Sequence, residues 1–379
     1  MRKAFKYRLY PNKEQHRLLD LQLQECRWLY NQLLEERKTA WEQRQESVRL
    51  YDQHALLPAF KAERPTLTRV QSQVLQNVAV RIDLAFQAFV RRVKAGETPG
   101  YPRFRGVGRY DSFPFPQVPV GCHLDAEAKR VRIMNVGQVK LVLHRPLEGT
   151  PKTATLRRSS TGKWYVSFSC ECAQATPLLP TGQTVGIDVG LKTFATLSTR
   201  AEDAIETPRF FRQDERALRG AQRRLSKAEQ GTSARAARRH VVARIYERIA
   251  WRRGDCAHQH RRRLVNQLDL IAVEDLAVTR MMPHQCLAKS IADAAWTQFA
   301  AYLAHKAAWA GRRLLAVNPA YTSQDCSGGG HRQKLSLSDR VYQCPCCGLV
   351  LDRDLNAARN ILRLALEQSG WGQPSLAQA

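Results

Sequence analysis

The residues of this chain that could carry metal-ion chemistry are carboxylates in three short acidic motifs. Asp188 and Glu274 each end a β-branched, apolar run that is typical of a buried strand, and Asp354 lies in a third motif at residues 352–358. An unpaired buried carboxylate is costly, so each of these charges needs a partner. Convergent carboxylates bind divalent metal ions, and the expected chemistry uses two of them for in-line attack of water on phosphorus: one ion activates the nucleophile and the other stabilises the leaving oxygen. The three motifs therefore predict a nuclease.

The three carboxylates are so far apart in the sequence that only the tertiary fold could bring them together. A sheet centred on the strand of Asp188, with Glu274 ending an adjacent strand and Asp354 opening a helix, would gather them. Gly186 and Gly190 would then allow a phosphate backbone to approach closely and the hairpin to turn tightly. Taken singly, each motif has an ordinary alternative: a strand-end cap, a solvated acid or a helix N-cap.

The composition predicts a polyanionic partner. Among 379 residues, 60 are Lys or Arg and 34 are Asp or Glu, which gives a formal net charge of +26. Such an excess predicts strong, salt-sensitive attraction to nucleic acid or to a membrane surface. No apolar run approaches membrane-spanning length, and residues 1–6 lack the apolar segment of a signal peptide. Nucleic acid is therefore the favoured partner.

Hydrophobic periodicity divides the first half of the chain into strands and helices. Residues 3–10 alternate as a half-buried strand with a basic face that includes Lys6 and Arg8, and residues 14–94 follow a helical period. Residues 122–172 indicate several short strands, with a turn at 159–163. We expect the first strand to join this barrel-like unit, which makes the helical segment an insertion.

The second half has an α/β pattern. The expected elements are a hairpin at 184–198, an Arg-rich helical region at 214–268 broken near residue 231, strands at 270–273 and 313–317, and helices at 290–310 and 354–366. Ser290 and Asp293 form a predicted capping box, and Gly311 is the predicted helix stop. The tail from residue 369 is polar and predicted to be flexible. The whole chain is therefore predicted to be an α+β multidomain protein.

Basic and aromatic residues indicate where nucleic acid would bind. Arg103, Phe104 and Arg105 lie in a Gly/Pro-rich stretch and suit phosphate contact with base stacking. A tethering loop whose aromatic residues pack against the domain below is an equal alternative. Arginine clusters recur along the helical region and favour contact with a duplex, although such runs are usually a solvated face. These clusters are Arg238 with Arg239, Arg252 with Arg253, and residues 261–263.

Several of these motifs together resemble the TnpB proteins of bacterial insertion sequences. The resemblance rests on residues Gly-Ile-Asp-Val-Gly-Leu-Lys (186–192), Val-Glu-Asp-Leu (273–276), Thr-Ser-Gln (322–324) and Asp-Arg-Asp-Leu-Asn-Ala-Ala-Arg-Asn-Ile (352–361). It extends to Arg-Leu-Tyr-Pro-Asn at 8–12 and Pro-Arg-Phe-Arg at 102–105. TnpB proteins are transposon-encoded RNA-guided DNA endonucleases with a RuvC-type nuclease domain, related to the type V CRISPR effectors.

The resemblance implies roles for individual residues and partners. It implies that Asp188, Glu274 and Asp354 form a catalytic triad that binds Mg²⁺; Asp354 is preferred to Asp352 because the family's acid precedes the Asn by two residues, here Asn356. It also implies a guide RNA from the transposon end and double-stranded target DNA, recognised beside a short motif and then by base pairing. The motif-reading region corresponds to the helix near Ser72 and Gln76. A cytoplasmic protein, nucleoid-associated when bound to DNA and monomeric with its RNA, is expected.

The resemblance also names the expected domains: a wedge β-barrel with an inserted helical recognition lobe, and an RNase H-like (RuvC) α/β nuclease domain with a zinc-ribbon-like insertion. The predicted boundaries are 1–11 and 101–180 for the wedge barrel, 12–100 for the lobe, 181–320 and 351–368 for the RuvC domain, 321–350 for the insertion, and 369–379 for the tail.

The cysteines indicate one structural metal site. Cys344 and Cys347 form a Cys-x-x-Cys half of a zinc knuckle. In the family the other half is a Cys-x-x-Cys beginning at Cys326, but Gly329 replaces its second cysteine, and His331 is the candidate fourth zinc ligand. A metal-free loop and a distorted site that uses Cys346 are the alternatives. The remaining cysteines are expected to pack as small apolar residues; they are Cys26, Cys122, Cys170, Cys172, Cys256 and Cys286.

Two other functions compete with an RNA-guided endonuclease. A nuclease-inactive, RNA-guided DNA-binding repressor of the same family would be expected to lack an Asp or Glu of the triad, and all three are present. A DNA-joining transposase also uses a triad of acids, but the Asp-x-Asn-Ala-Ala motif at 354–358 and the three-part layout disfavour it.

Overall fold

The computed structural model of this chain describes residues 1–173, 175–200, 203–281, 283, 287–336 and 339–371. The chain divides into two compact units, Met1–Ala173 and Gln174–Ala379. Each unit has its own sheet, so the two are described separately. The prediction for Cys286 and that for the tail at 372–379 lie outside the described residues.

The first unit contains a seven-stranded, barrel-like antiparallel sheet in the order β2-β6-β7-β1-β5-β4-β3. The strands are β1 (Arg2–Tyr10), β2 (Ser112–Phe115), β3 (Cys122–Asp125), β4 (Arg130–Ile133), β5 (Gly137–Val142), β6 (Thr150–Arg158) and β7 (Trp164–Glu171). The first strand lies in the middle of this sheet, paired with β7 on one side and β5 on the other. The prediction that it joins the later strands is confirmed.

The alternation of β1 explains its central place. Phe5, Tyr7 and Leu9 are buried, whereas Lys6 and Arg8 lie on the opposite face. A period of two places alternate side chains on opposite faces of a strand, so one face of β1 supplies the core and the other remains basic.

Helices occupy the segment between β1 and β2. They are α1 (Lys13–Arg44), α2 (Leu50–Ala55), α3 (Leu57–Glu63), a 3₁₀ turn (Pro65–Arg69) and α4 (Ser72–Lys94). Asn12 starts α1 with a capping box, in which its side chain accepts a hydrogen bond from Gln15 N at 2.8 Å and Gln15 bonds back to Asn12 N. The predicted helical insertion is therefore present.

The second unit contains a five-stranded sheet in the order β10-β9-β8-β11-β12. Its strands are β8 (Thr184–Asp188), β9 (Thr193–Leu197), β10 (Ile205–Glu206), β11 (Leu270–Glu274) and β12 (Arg313–Val317). Strands β8, β11 and β12 are parallel, and β9 returns antiparallel to β8 as the predicted hairpin. The carboxyl ends of β8 and β11 therefore meet at one edge of the sheet.

The helices of the second unit pack on both faces of this sheet. They are α5 (Phe210–Ser226), α6 (Ser233–Gln267), α7 (Val278–Met281), α8 (Ala288–Ala294), α9 (Trp296–Trp309) and α10 (Arg353–Ser369). One face carries Val185, Ile187, Ile271 and Val273 with α6 and α9, and the other carries Leu270 and Ala272 with α10. Among the described residues, no helix combines the length and apolar character needed to cross a membrane.

Two predicted helix boundaries in this unit are wrong. The single helix expected at 290–310 is two helices, because Ala295 adopts a left-handed conformation with φ 54°. Ser290 therefore lies inside α8 and does not cap it, and Asp293 accepts hydrogen bonds from Phe211 N instead. At the chain's end, α10 continues to Ser369, and Trp371 packs against the core beneath α10.

A small two-stranded sheet, β13 (Val341–Gln343) and β14 (Val350–Asp352), precedes α10. Its core is Tyr342, which is fully buried with Cys326 and Cys344. The Tyr342 hydroxyl donates to the backbone carbonyls of Gln324 (3.2 Å) and His331 (3.0 Å), so the aromatic ring ties the two halves of this module together.

Candidate carboxylate and thiol centres

Asp188 and Glu274 are neighbours at the carboxyl ends of two parallel strands. Ile187 pairs with Val273 in the β8–β11 register, so Asp188 and Glu274 are the next residues along each strand. Both follow a residue that faces the α6–α9 core, so strand alternation directs both carboxylates to the face covered by α10. Strand pairing alone thus brings together two of the three predicted acids.

Asp354 lies in the first turn of α10, the helix that crosses this face. The N-cap of α10 is Asp352, whose Oδ1 accepts hydrogen bonds from Asp354 N (2.9 Å) and Leu355 N (3.2 Å). The Asp352 carboxylate is thus engaged in capping, which leaves the Asp354 carboxylate to reach the sheet edge.

Gly186 is the point where α10 touches the sheet. A Cβ at Gly186 would overlap the carbonyl oxygen of Ala358 and lie 2.7 Å from the backbone nitrogen of Leu362. The expectation that Gly186 admits a phosphate backbone is therefore wrong, because a helix backbone fills that space. Gly190 does serve the hairpin: its N–H donates to Phe194 O at 3.3 Å, and a Cβ there would be 2.9 Å from Thr193 O.

The electrostatics of this site show an excess of negative charge. Burial, together with the neighbouring carboxylates of Glu274 and Asp354, raises the pKa of Asp188 to about 8, against a lowering by Arg353. Burial also raises the pKa of Glu274, although a hydrogen bond from Thr322 lowers it. A divalent cation would relieve this repulsion, so the donor set fits a hard, oxygen-preferring metal ion. In one tight ligand shell, the ligand oxygens would all lie within 4.8 Å of one another. The nearest oxygens of these three acids are not all within that distance.

The side chain that contacts Glu274 is Thr322, for which the sequence pattern predicted no chemical role. The hydroxyl of Thr322, which is buried, donates to Glu274 Oε1 at 2.6 Å. Thr322 belongs to the Thr-Ser-Gln motif at 322–324, which carried the family resemblance. No local pattern could have indicated the contact, because Glu274 and Thr322 meet only through the path of the loop after β12.

Two buried asparagines of α10 hold this loop. Asn360 Nδ2 donates to Thr322 O (2.9 Å) and Asp325 O (2.7 Å), and Asn356 Nδ2 donates to Asp325 O at 2.8 Å. Asn356 Oδ1 also accepts from Ser327 N at 2.9 Å. We call residues 322–327 the α10-bound loop; it leads from the carboxylates to Cys326.

Cys326, Cys344 and Cys347 form a thiol cluster, whose sulfur atoms all lie within 4.8 Å of one another. The Sγ atoms of Cys326 and Cys347 are 3.5 Å apart. Backbone N–H groups of Cys347 and Cys346 lower the pKa of Cys344 to about 7, although burial opposes this shift. Three clustered thiols with one easily ionised member can hold a metal ion.

His331 does not join the thiol cluster, so its expected role as a ligand is not supported by the geometry. The residue contributes only its backbone carbonyl, which accepts from Cys326 N at 2.8 Å. Two glycines border the cluster: a Cβ at Gly329 would lie 3.6 Å from Cys347 Sγ, and one at Gly328 would lie 3.8 Å from Cys347 Sγ and 3.9 Å from Cys326 Sγ. Cys346 is exposed and outside the cluster, which disfavours the distorted site that uses it.

The residues predicted to contact nucleic acid in the first unit lie on its surface or along strand β1. Lys6 stacks over Tyr165 at 4.3 Å and Arg8 over Tyr10 at 4.6 Å. Ser72 and Gln76 are exposed on the first turns of α4, where Ser72 Oγ accepts from Lys61 Nζ at 3.0 Å. The positions of these residues do not test whether they contact nucleic acid, so that role stays a prediction.

The Gly/Pro-rich stretch was predicted either to contact nucleic acid or to be a tethering loop with inward-packed aromatic residues, and different residues support each alternative. Arg103 and Phe104 are exposed, and Arg105 is fixed through its backbone N–H, which donates to Asn31 Oδ1 at 2.8 Å. Phe113 and Phe115 are instead buried in the barrel-like sheet. The aromatic residues after Arg105 therefore pack inward, whereas Phe104 is exposed and available to a ligand.

The arginine clusters of α6 are not equivalent. Arg238 and Arg239 are exposed, as the prediction requires. Arg261 is fully buried, with its guanidinium 4.4 Å from the ring centre of Tyr302, and Arg253 pairs with Asp293 at 2.7 Å. The prediction that Arg261 contacts a duplex is wrong, because its side chain packs α6 against α9.

Comparison with solved structures shows which class of proteins shares this fold. The barrel-like sheet with its helical insertion and the α/β unit that follows resemble the fold of Cas12-type effectors. The chain superposes on the Cas12f1 chain of a Cas12f1–sgRNA–target DNA complex with a TM-score of 0.54 and 14% identity, covering 95% of this chain and 98% of that one. At this identity the likeness concerns the fold alone.

Sequence comparison then gives the family. The chain is 35% identical to a Streptomyces pristinaespiralis protein named "Putative RNA-guided DNA endonuclease", over 98% of this chain and 91% of that protein. It is 30% identical to "Putative RNA-guided DNA endonuclease InsQ" of Escherichia coli K12, over 95% and 91%. This chain belongs to the TnpB family.

Three family models match parts of the chain. They are "Helix-turn-helix domain" at 1–46, "Probable transposase" at 167–285 and "Cas12f1-like, TNB domain" at 296–361. The first description does not fit the local structure, since residues 2–10 form β1 and Lys13–Arg44 is one uninterrupted helix.

Proposed function

We propose that this chain is an RNA-guided DNA endonuclease that cuts double-stranded DNA by metal-dependent phosphodiester hydrolysis at Asp188, Glu274 and Asp354. The observation that carries the proposal is the parallel register of β8 and β11, which makes Asp188 and Glu274 neighbours beneath the helix that bears Asp354. Relatives named RNA-guided DNA endonucleases support the substrate and the use of a guide.

The three carboxylates would hold Mg²⁺ at the carboxyl edge of the sheet. Bound Mg²⁺ would activate a water molecule and stabilise the leaving oxygen of the phosphodiester. Asp188 would be the central metal ligand, because both other acids are close enough to raise its pKa. Asp188 must lose its proton before it can bind a cation. Glu274 keeps a fixed orientation through Thr322, and α10 delivers Asp354 to the same edge. By this assignment the second unit is a RuvC-type nuclease domain.

The thiol cluster would hold a structural Zn²⁺ through Cys326, Cys344 and Cys347, with the fourth position left to a ligand from outside the cluster. The ion would fold the module of β13 and β14 next to α10. We assign this ion no part in cleavage, which we place at the carboxylates of Asp188, Glu274 and Asp354.

The test is to purify the protein with RNA co-expressed from its own locus and to offer duplex DNA with a randomised flank. Mg²⁺-dependent cuts beside one flank sequence, abolished by Asp188→Ala, are the expected result. Arg363→Met, on the exposed side of α10, serves as a matched variant that should still cut.

Binding without cutting would instead support a repressor, and joined products would support a transposase. Either outcome would overturn the proposal. Metal analysis of the same preparation checks the thiol cluster, and zinc far below one equivalent would exclude a structural zinc site.

A further inference from the structure

We propose that Thr322 is a positioning residue for Glu274 and that Asn360 holds Thr322 in place for this task. The inference rests on the proposed function, since the orientation of Glu274 matters for cleavage only if Glu274 binds the metal ion. It extends that function to two residues that act through Glu274.

The first step is the contact between the two side chains. Thr322 Oγ1 lies 2.6 Å from Glu274 Oε1 and 3.1 Å from the carbonyl oxygen of Pro319. A hydroxyl has one proton to donate, and a carboxylate is a stronger acceptor than a neutral carbonyl. The Thr322 proton is therefore directed to Glu274 whenever Glu274 is ionised, and the Pro319 carbonyl is the weaker partner.

Second, the contact with Thr322 restricts the rotation of the Glu274 side chain. Glu274 is the last residue of β11, and a glutamate side chain has several rotatable bonds, so the strand fixes its Cα but not its carboxylate. The Thr322 hydroxyl fixes Oε1 and leaves Oε2 for another ligand. Groups that orient a metal-binding side chain in this manner raise its affinity for the metal.

The third step is the support of Thr322 itself. Asn360 donates through Nδ2 to the Thr322 carbonyl at 2.9 Å and to the Asp325 carbonyl at 2.7 Å, and its side chain is buried. Asn360 lies on α10, the helix that carries Asp354 in its first turn. One helix therefore fixes two of the carboxylates: Asp354 directly, and Glu274 through the α10-bound loop and Thr322.

A purely structural role is the competing explanation, in which the Thr322 hydroxyl only closes a turn onto Pro319. The two explanations differ in what the hydroxyl does for metal binding. If the hydroxyl only stabilises the turn, its removal lowers the melting temperature without changing the metal affinity of the folded protein. If it positions Glu274, metal affinity falls even where folding is intact.

The experiment compares Thr322→Ala with Thr322→Ser in the protein–RNA complex. The two side chains are close in size, and both leave room in the loop, but only serine keeps the hydroxyl. Mn²⁺ binding is measured by electron paramagnetic resonance before DNA is added, and the Mg²⁺ concentration for half-maximal cutting is measured afterwards. We expect Thr322→Ala to weaken Mn²⁺ binding about tenfold and to raise the Mg²⁺ requirement accordingly, and Thr322→Ser to restore both.

The matched control is Thr199→Val, which removes another threonine hydroxyl that donates to a carboxylate in the same unit, that of Asp203 at 2.7 Å. It should leave Mn²⁺ binding unchanged. Asn360→Asp, which replaces the donating amide by an acceptor, should weaken Mn²⁺ binding in the same direction as Thr322→Ala. Equal Mn²⁺ affinity in Thr322→Ala and Thr322→Ser would overturn the role of Thr322, and unchanged affinity in Asn360→Asp would overturn that of Asn360.

Glu274→Gln separates this inference from the proposed function. If Glu274→Gln cuts DNA normally, the proposed carboxylate site is wrong and the positioning role falls with it. If Glu274→Gln abolishes cutting while Thr322→Ala binds Mn²⁺ as the parent does, only the positioning role is wrong.

Discussion

Gly186 lies directly beneath Ala358, so that the strand bearing Asp188 and the helix bearing Asp354 touch through their backbones. We expect Gly186→Ala to force α10 away from β8, because a Cβ would overlap the Ala358 carbonyl oxygen. Overpacking of this kind costs about 1–3 kcal/mol of folding free energy. The displaced helix would also move Asp354 from the sheet edge, so DNA cutting should fall by more than the loss of folded protein accounts for.

Gly254→Ala is the matched control for that substitution. Gly254 lies inside α6 with nothing near the position of its missing Cβ. Alanine there should be neutral or stabilise the protein by about 0.5–1 kcal/mol. Chemical denaturation and a DNA-cutting assay on both variants check the prediction, and full activity in Gly186→Ala would show that α10 need not touch β8.

Asp188 should make the metal-free protein less stable as pH rises. Burial and the charges of Glu274 and Asp354 raise its pKa in the folded protein to about 8, whereas an unfolded Asp titrates near 3.9. Between these values the folded state binds more protons than the unfolded state, so the free energy of unfolding falls with rising pH. Asp188→Asn removes this penalty and should stabilise the metal-free protein at pH 7 by up to about 4 kcal/mol, since pH 7 lies about three units above the unfolded pKa and each unit corresponds to about 1.4 kcal/mol.

The measurement is thermal unfolding in a chelator from pH 5 to pH 9, with and without Mg²⁺. The parent should lose stability across this range and regain it with Mg²⁺, whereas Asp188→Asn should respond little to either change. A parent curve that is flat with pH would mean that Asp188 is ionised without a cation, against the repulsion described above.

The strand ends were predictable from sequence, and the contacts made by loops were not. The β-branched runs before Asp188 and Glu274 predicted two strands that each end in a carboxylate, whereas the parallel pairing that brings these carboxylates together is set by the tertiary fold. The hydrogen bond from Thr322 to Glu274 depends on how the loop after β12 returns to the sheet. No periodicity encodes such a path.

Other errors arose where tertiary packing overrode local propensity. Alanine is the best helix former, yet Ala295 breaks the helix predicted at 290–310, and Trp296 and Phe299 after it are buried in the core. Arg261 belongs to an arginine run typical of a surface, but the ring of Tyr302 and the backbone carbonyl of Gln298 receive its guanidinium. Sequence alone could not show either partner.

The thiol cluster should accept a fourth cysteine at Gly329. A Cβ there would make ordinary contact with Cys347 Sγ at 3.6 Å, and Gly329 N already donates to Cys326 Sγ at 3.4 Å. We expect Gly329→Cys to complete a four-thiolate site and to raise zinc affinity at least about tenfold, since tetrahedral thiolate sites are the common structural form.

Competition with a chromophoric zinc chelator measures this affinity. Cys346→Ser, which removes an exposed thiol outside the cluster, should leave zinc affinity unchanged, and Cys347→Ser should lower it. If Gly329→Cys binds zinc no more tightly than the parent, position 329 does not face the metal.

Asp269 and Arg312 form a buried ion pair that should dominate the acid stability of the second unit. Burial alone would raise the pKa of Asp269, but hydrogen bonds from Gly182 N, Thr181 N and the Thr181 hydroxyl, together with Arg312, hold it below its usual value. A lowered pKa contributes stability that is present above the unfolded pKa and is lost as pH falls through the folded one.

Removing the cation should expose this dependence. Arg312→Met leaves a buried carboxylate without its charge partner, which typically costs about 3–5 kcal/mol. Arg363→Met breaks an exposed pair with Glu367 on α10 and should change stability by less than about 1 kcal/mol. Urea denaturation at pH 7 compares the two variants, and a second series at decreasing pH tests the linkage: the gap between Arg312→Met and the parent should narrow as the pH falls below the unfolded pKa of about 3.9 towards the lowered pKa of the folded parent. A gap that persists unchanged in acid would assign the cost to lost packing around Arg312 and not to its charge.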